Sequence, residues 1–217
     1  HLLKKVVDGE APEYPSSEVP DPPEGYSWDE ISYVIGGFAW RARFIDENGY
    51  IITGDENAMT QYNLYNRTLD LGEDWVAYHP GEEQPYDCGS CHTTGYVPEG
   101  NQDELPGLIG TWAEDGVGCE ACHGPGSNHV NDPYRAAVTI ERDSELCTQC
   151  HAEGTVGEVD ATSGFIQHHD SYEALFAGKK AAMRCVDCHN PHETVKYGRA
   201  AGIKVECASC HVEQDIY

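Results

Sequence analysis

The sequence Cys-x-x-Cys-His occurs five times, at residues 88–92, 119–123, 147–151, 185–189 and 207–211, and these copies use all ten cysteines of the chain. On a helical turn, residues three and four apart share a face. The paired thiols are Cys88 and Cys91, Cys119 and Cys122, Cys147 and Cys150, Cys185 and Cys188, and Cys207 and Cys210. Each pair is followed directly by a histidine: His92, His123, His151, His189 or His211. That arrangement is the attachment signal of c-type haem, in which two thiols take the vinyl groups and the histidine ligates iron. The sequence predicts five covalent haem c groups and a peptide built around them.

Zinc is the plain alternative, because paired Cys-x-x-Cys knuckles also bind it, but zinc does not require a histidine directly after each second cysteine. A disulfide framework leaves the histidines unexplained as well, and ten cysteines held in thioethers leave none for a bridge. Six of the eleven histidines lie outside the motifs: His1, His79, His129, His168, His169 and His192. Five irons closed on both faces need five sixth ligands, so bis-histidine coordination is the expectation, and such haems move electrons rather than bind substrate.

His129 follows a Gly-Pro-Gly turn after the second motif, and His192 follows Pro191, which ends the fourth binding turn and fixes the approach. His168 and His169 diverge on either a strand or a helix, so the pair can serve two different haems. His79, between Tyr78 and Pro80, completes the expected set of distal ligands. His1 is read as a solvated terminus, a remnant or a ligand reaching another subunit. Met59 and Met183 are expected to pack rather than to ligate.

With five haems, the 217 residues leave about 43 for each, and the hydrophobic share of 39% lies below the usual globular range. The porphyrins are therefore expected to supply much of the apolar interior, and the haem-free chain is expected not to fold. A net charge of −25 argues against nucleic acid and anionic membrane as partners and favours basic redox partners or positively charged surfaces. No stretch reaches the length of an apolar membrane span. No leader with a basic start and an apolar centre is present, so residue 1 is read as the start of a processed, exported chain.

Residues 1–30 carry Pro12, Pro15, Pro20, Pro22 and Pro23 among many acids and are expected to form an extended arm, with Tyr14, Tyr26 and Trp28 as anchors. Residues 31–53 predict a small β-hairpin turning at Asp46-Glu47-Asn48-Gly49, with Arg41 and Arg43 on one face, toward haem propionates or solvent. Residues 31–217 are read as a single pentahaem domain. Short helices are predicted at Pro133–Arg142 and Ser171–Ala177, and a turn at Ser144 leads into Cys147. First cysteines are spaced 31, 28, 38 and 22 residues apart, too unevenly for a solenoid. The fold class expected is a mostly irregular multihaem cytochrome c, with short helices, a small N-terminal β-hairpin and haems forming the core.

Tyr33 to Ile45, Cys88-Gly89-Ser90-Cys91-His92-Thr93-Thr94-Gly95-Tyr96, Gly116 to Gly126 and Cys185-Val186-Asp187-Cys188-His189-Asn190-Pro191-His192 resemble multihaem cytochromes of the c554-related type. Nearest among these are the subunits of extracellular cytochrome filaments, and the resemblance covers about residues 31–211. It implies a homo-oligomeric filament conducting electrons through stacked haems at the cell surface or beyond it. It also implies that a histidine of one subunit, His1 being a candidate, closes a haem of the next. The motif at Cys207 departs from the tetrahaem members. A discrete periplasmic or extracellular carrier, and a multihaem reductase with one open iron, are the alternative classes; the histidine count speaks against an enzyme.

Overall fold

The structure is a computed structural model and describes residues 3–13, 19–37, 41–65, 73–152, 161–162, 165–166, 176, 181–193, 202–206 and 209–210. The chain divides into two compact units, residues 1–138 and 139–217. The boundary falls between the second and third motifs, where the sequence reading drew one domain from residue 31 onward.

The first unit is organised by a seven-stranded sheet: β1 (Leu3–Lys5), β2 (Ile31–Gly36), β3 (Arg41–Asp46), β4 (Tyr50–Ile51), β5 (Gln61–Asn63), β6 (Asp74–Val76) and β7 (Gln84–Pro85). One path runs β1-β2-β3-β4-β7, while β5 pairs with β3 farther along the same strand and carries β6. The expected turn is present between β3 and β4. Asp46 Oδ1 accepts the Asn48 and Tyr50 amides, each at 2.9 Å, and Gly49 takes φ 89°. A Cβ at Gly49 would stand 2.8 Å from the Leu108 nitrogen, so this turn needs glycine for both its conformation and its packing.

One expectation is corrected here: the β structure is a sheet rather than a small hairpin. Within the region read as an arm, β1 lies along that sheet, with Leu3 opposite Ile35 and 1% exposed. The first unit also has a core made of protein. Alternation along β2 and β3 places Tyr33 and Ile45 with Leu3, Ile51, Tyr86, Leu108 and Trp112 in one cluster, and Val34, Ala42 and Phe44 with Val6, Ile31 and Ile52 in another. A sheet with an apolar cluster on each face gives the first unit an interior made of its own side chains.

The chain continues through α1 (Gly89–His92), β8 (Thr93–Thr94), β9 (Val97–Asn101), β10 (Ile109–Thr111), β11 (Glu114–Asp115), α2 (Cys119–His123) and α3 (Ser127–Asn131). β9 pairs with β10 and β8 with β11, all antiparallel. In the second unit, α4 (Ser144–His151) precedes a two-residue pairing of β12 (Ala161–Thr162) with β13 (Phe165–Ile166), and α5 (Cys185–Cys188) follows. The turn expected at Ser144 is there, capped by Asp143, whose carboxylate accepts the Glu145 amide at 3.3 Å.

The helix predicted at Pro133–Arg142 does not form. Asp132 closes one turn with the Arg135 and Ala136 amides, and the chain then runs irregularly. Val138, Thr139 and Ile140 are consecutive β-branched residues, and their restricted side chains oppose helix propagation. The prediction at Ser171–Ala177 lies outside the described residues except at Phe176. Among the described residues no helix is long and apolar enough to cross a membrane.

Candidate functional site

Each motif whose residues are all described sits on a helical turn, as its spacing requires. The His92 amide donates to the Cys88 carbonyl at 3.0 Å and the His189 amide to the Cys185 carbonyl at 2.9 Å, while the second and third motifs lie within α2 and α4. Cysteine and histidine therefore share a face, which is the arrangement a porphyrin edge and its iron demand. Among the described residues no three His, Cys, Asp or Glu side chains gather as a metal-holding cluster. Cys210 lies in a turn with Ser209, and Cys207 and His211 are outside the described residues.

The turns are tied to one another by buried hydroxyls. Thr94, 2% exposed, follows α1; its Oγ1–H donates to the Gly116 carbonyl at 2.9 Å and its oxygen accepts the Gly118 amide at 2.8 Å, at the start of α2. The pairing of Thr94 with Glu114 and of Thr93 with Asp115 reinforces that link. Ser144, 3% exposed, opens α4, and its Oγ accepts the Cys185 amide at 3.0 Å. Beyond α5, the Lys204 amide donates to the Cys188 carbonyl at 2.8 Å and the Asn190 amide to the Gly202 carbonyl at 2.9 Å. The approach to the fifth motif is thus fastened to the fourth.

The first turn is partly enclosed: Gly89 is buried, while Cys88 itself is exposed. Its α1 packs on Tyr96 and Trp112, and a Cβ at Gly89 would meet Tyr96 Cε2 at 2.5 Å. Loss of solvation raises the Cys88 thiol above its ordinary range, the Asp87 carboxylate adds to this, and Arg43 opposes it. Loss of solvation likewise lowers the His92 imidazole, and nearby positive charge, Arg43 included, adds to the effect. His92 is therefore neutral at neutral pH and has a lone pair for a metal.

Two of the predicted distal histidines have one ring nitrogen already committed. His79 Nδ1–H donates to Glu82 Oε2 at 3.1 Å, its ring lies edge-on to Tyr78 with centroids 4.6 Å apart, and its backbone takes φ 45°. His129, on α3, donates from Nδ1–H to the Ala136 carbonyl at 2.7 Å. A carbonyl or carboxylate can only accept, so Nδ1 carries a proton in both rings, and Nε2 is the nitrogen a ligand role would use. His192 is exposed, with its amide donating to Asn190 Oδ1 at 3.2 Å. His1, His168 and His169 lie outside the described residues.

Sequence reasoning missed the linking roles of Thr94 and Ser144, and missed Glu82 and the Ala136 carbonyl. Only Glu82, three residues after a predicted ligand, carried a readable signal. The residues present fit haem c in the turns that are described.

Residues 59–124 match the family model "Cytochrome c554 and c-prime". The multiheme cytochrome MtrA of Shewanella baltica is 28% identical over 108 residues, 46% of this chain and 28% of that protein. Cytochrome c-554 of Nitrosomonas europaea is 38% identical over 60 residues, 27% of this chain and 24% of that one. The undecaheme cytochrome from the S-layer of Carboxydothermus ferrireducens has a similar fold, with a TM-score of 0.52 and 20% identity over 87% of this chain and 36% of that one. Each match spans little more than a third of the relative's length, or less. By its motifs and by these likenesses the chain is related to the multihaem c-type cytochromes, with a c554-type segment at its centre.

Proposed function

We propose that this chain transfers electrons outside the cytoplasm through five covalently attached haem c groups. Its cysteines form the ten thioethers; His92, His123, His151, His189 and His211 are the proximal ligands, and His79, His129, His168, His169 and His192 the distal ones. When bound, haem c supplies a one-electron iron couple. The protein's part is to hold each iron between two imidazoles and to fix the spacing between neighbours. Glu82 and the Ala136 carbonyl orient two of those imidazoles by accepting a hydrogen bond from Nδ1–H.

The observation that carries this reading is the fastening of one Cys-His turn to the next, by Thr94 between the first and second and by Ser144 between the third and fourth. Electron transfer between haems depends steeply on separation, and a buried hydroxyl bridging two turns limits how far they can drift. An enzyme would need one iron left open, and a set of five spare imidazoles closes all five. The repeating subunit of an extracellular filament is the preferred form, supported by resemblance to filament cytochromes; the cytochrome with a similar fold comes from a surface layer. A charge of −25 means such a filament must be held by close junction contacts, shared ligands or cations.

Negative-stain electron microscopy of the native protein, with its haem-to-chain ratio, tests the proposal. Filaments with five haems per chain are expected. Dispersed particles with five haems would replace the filament with a soluble carrier. A ratio below five, or carbon monoxide binding to the reduced protein, would reopen the enzyme class.

A further inference from the structure

Between β6 and β7 the chain makes a four-residue turn, His79-Pro80-Gly81-Glu82, with Pro80 and Gly81 at its centre and Gly81 at φ 79°. The Glu82 amide donates to the His79 carbonyl at 3.1 Å and closes it. Two further bonds anchor the turn to the segment after β4. The Gly81 amide donates to the Gly54 carbonyl at 3.0 Å, and the hydroxyl of Thr53, a buried residue, donates to the Glu82 carbonyl at 2.6 Å. His79 itself takes φ 45°, a conformation sparsely populated by residues with a side chain, which persists where surrounding bonds impose it. The main chain therefore fixes where the imidazole starts, and the edge-on Tyr78 ring flanks it.

Within this turn Glu82 Oε2 accepts from His79 Nδ1–H at 3.1 Å and from Gln84 Nε2–H, also at 3.1 Å. The His79 and Glu82 side chains are 49% and 62% exposed, and an exposed pair contributes little to stability. The turn is already closed and anchored by other bonds, so the consequence of this one falls on the ring. A carboxylate that accepts from Nδ1–H makes the opposite nitrogen, Nε2, a stronger electron donor. His129 makes the same kind of bond to the Ala136 carbonyl, which is uncharged. The two imidazoles are thus held by partners of different charge.

We propose that Glu82 is a positioning residue that lowers the reduction potential of the haem whose iron His79 ligates. This rests on the distal role given to His79 above. A stronger electron donor favours ferric over ferrous iron, and the negative charge of the carboxylate acts in the same sense. Gln84 moderates the effect, because it shares the Glu82 oxygen that His79 uses.

The test is potentiometric titration of the native holoprotein beside Glu82→Gln, Gln84→Met and Thr53→Val, with haem-to-chain ratios recorded on each. Carbon monoxide binding to the reduced His79→Ala variant checks the ligand itself. Glu82→Gln keeps an acceptor of the same shape without the charge. It is expected to raise one midpoint about tenfold in its reduction equilibrium, roughly 59 mV for one electron, and to leave the others in place. Gln84→Met is expected to move that midpoint about threefold the other way. Thr53→Val, which loosens the turn and keeps the carboxylate, is expected to leave it unchanged. With haem loading complete, a Glu82→Gln titration that superimposes on the native one overturns the proposal, as does an equal shift of every haem or the same shift in Thr53→Val. If Glu82→Gln does not retain its haems, a Gln84→Met titration without the downward shift overturns it. A fully loaded His79→Ala that binds no more carbon monoxide than native protein refutes the distal assignment of His79 and the proposal with it. Binding there beside an unmoved Glu82→Gln midpoint refutes the proposal alone.

Discussion

Among the described residues, fourteen hydrophobic side chains are buried, and all lie between Leu3 and Trp112, inside the first unit. Among the described residues of the second unit none is buried; the enclosed positions there are Ser144 and Gly202. Both regions carry Cys-His turns, yet one surrounds them with a sheet that has an apolar cluster on each face, and the other joins them through hydroxyl and main-chain bonds. The lesson is that a multihaem chain need not rely on its cofactors uniformly. A burial of about 1.5–3 kcal/mol per large side chain stabilises the first region without them, while the described residues of the second make no such contribution.

The largest effect that would break this comparison concerns haem-free chain, produced where attachment cannot occur. Amides of β2 and β3 should retain roughly a thousandfold protection from hydrogen exchange, while those of α4, eight residues long, should exchange at close to unfolded rates. Equal loss in both units would show that the sheet, too, depends on haem. Next in size is the truncation of Phe44, which is fully buried between Trp28 and Trp75 with ring centroids 5.8 and 6.0 Å away. Phe44→Ala should cost about 3–5 kcal/mol in denaturant unfolding of the first unit, against under about 1 kcal/mol for Leu146→Ala in the second.

The smallest effect sharpens how β1 is held. Asp103 accepts from Lys5 at 2.7 Å and from Tyr33 at 2.5 Å. Its desolvation alone would raise its pKa, but these two donors outweigh that and lower it. A carboxylate whose folded pKa is depressed stabilises the fold above its unfolded value near 4 and loses that contribution as pH falls through the lowered folded value. Lys5 and Asp103 are 48% and 31% exposed, so screening leaves only about 0.5 kcal/mol. Native protein and Asp103→Asn should therefore differ in denaturant midpoint at pH 7 and converge toward pH 3. A difference that persists undiminished at pH 3 would mean that charge is not what fastens this strand.

The sequence made the chemistry more legible than the architecture, for a physical reason. Each Cys-His turn, the Asp46–Gly49 bend and the Asp143 cap is settled by residues no more than four apart, so pattern alone reveals it. β1, β5, β6 and β7 are two or three residues long and exist only because distant partners pair with them, as Leu3 does with Ile35 and Ile51 with Gln84. Such segments are too short to show alternation. Thr94 and Ser144 were hidden for the same reason, since their partners lie 22 to 41 residues away. The helix wrongly expected at Pro133–Arg142 came from weighing a good start signal above the β-branched run that follows it.

The locality of the Cys-His turns also bears on the order of assembly. His92 and His189 each bond a carbonyl four residues back, whereas Lys5 meets Asp103 only 98 residues along the chain. Helical turns open and close in about a microsecond or less, while a sheet of long-range pairings waits on the slow closure of large loops. A machinery that attaches haem therefore meets its recognition elements on a chain whose sheet does not yet exist. The sequence in which cysteines emerge, rather than their place in the finished molecule, sets the sequence in which they are offered, and Cys88, on the turn that packs on Tyr96 and Trp112, is presented first.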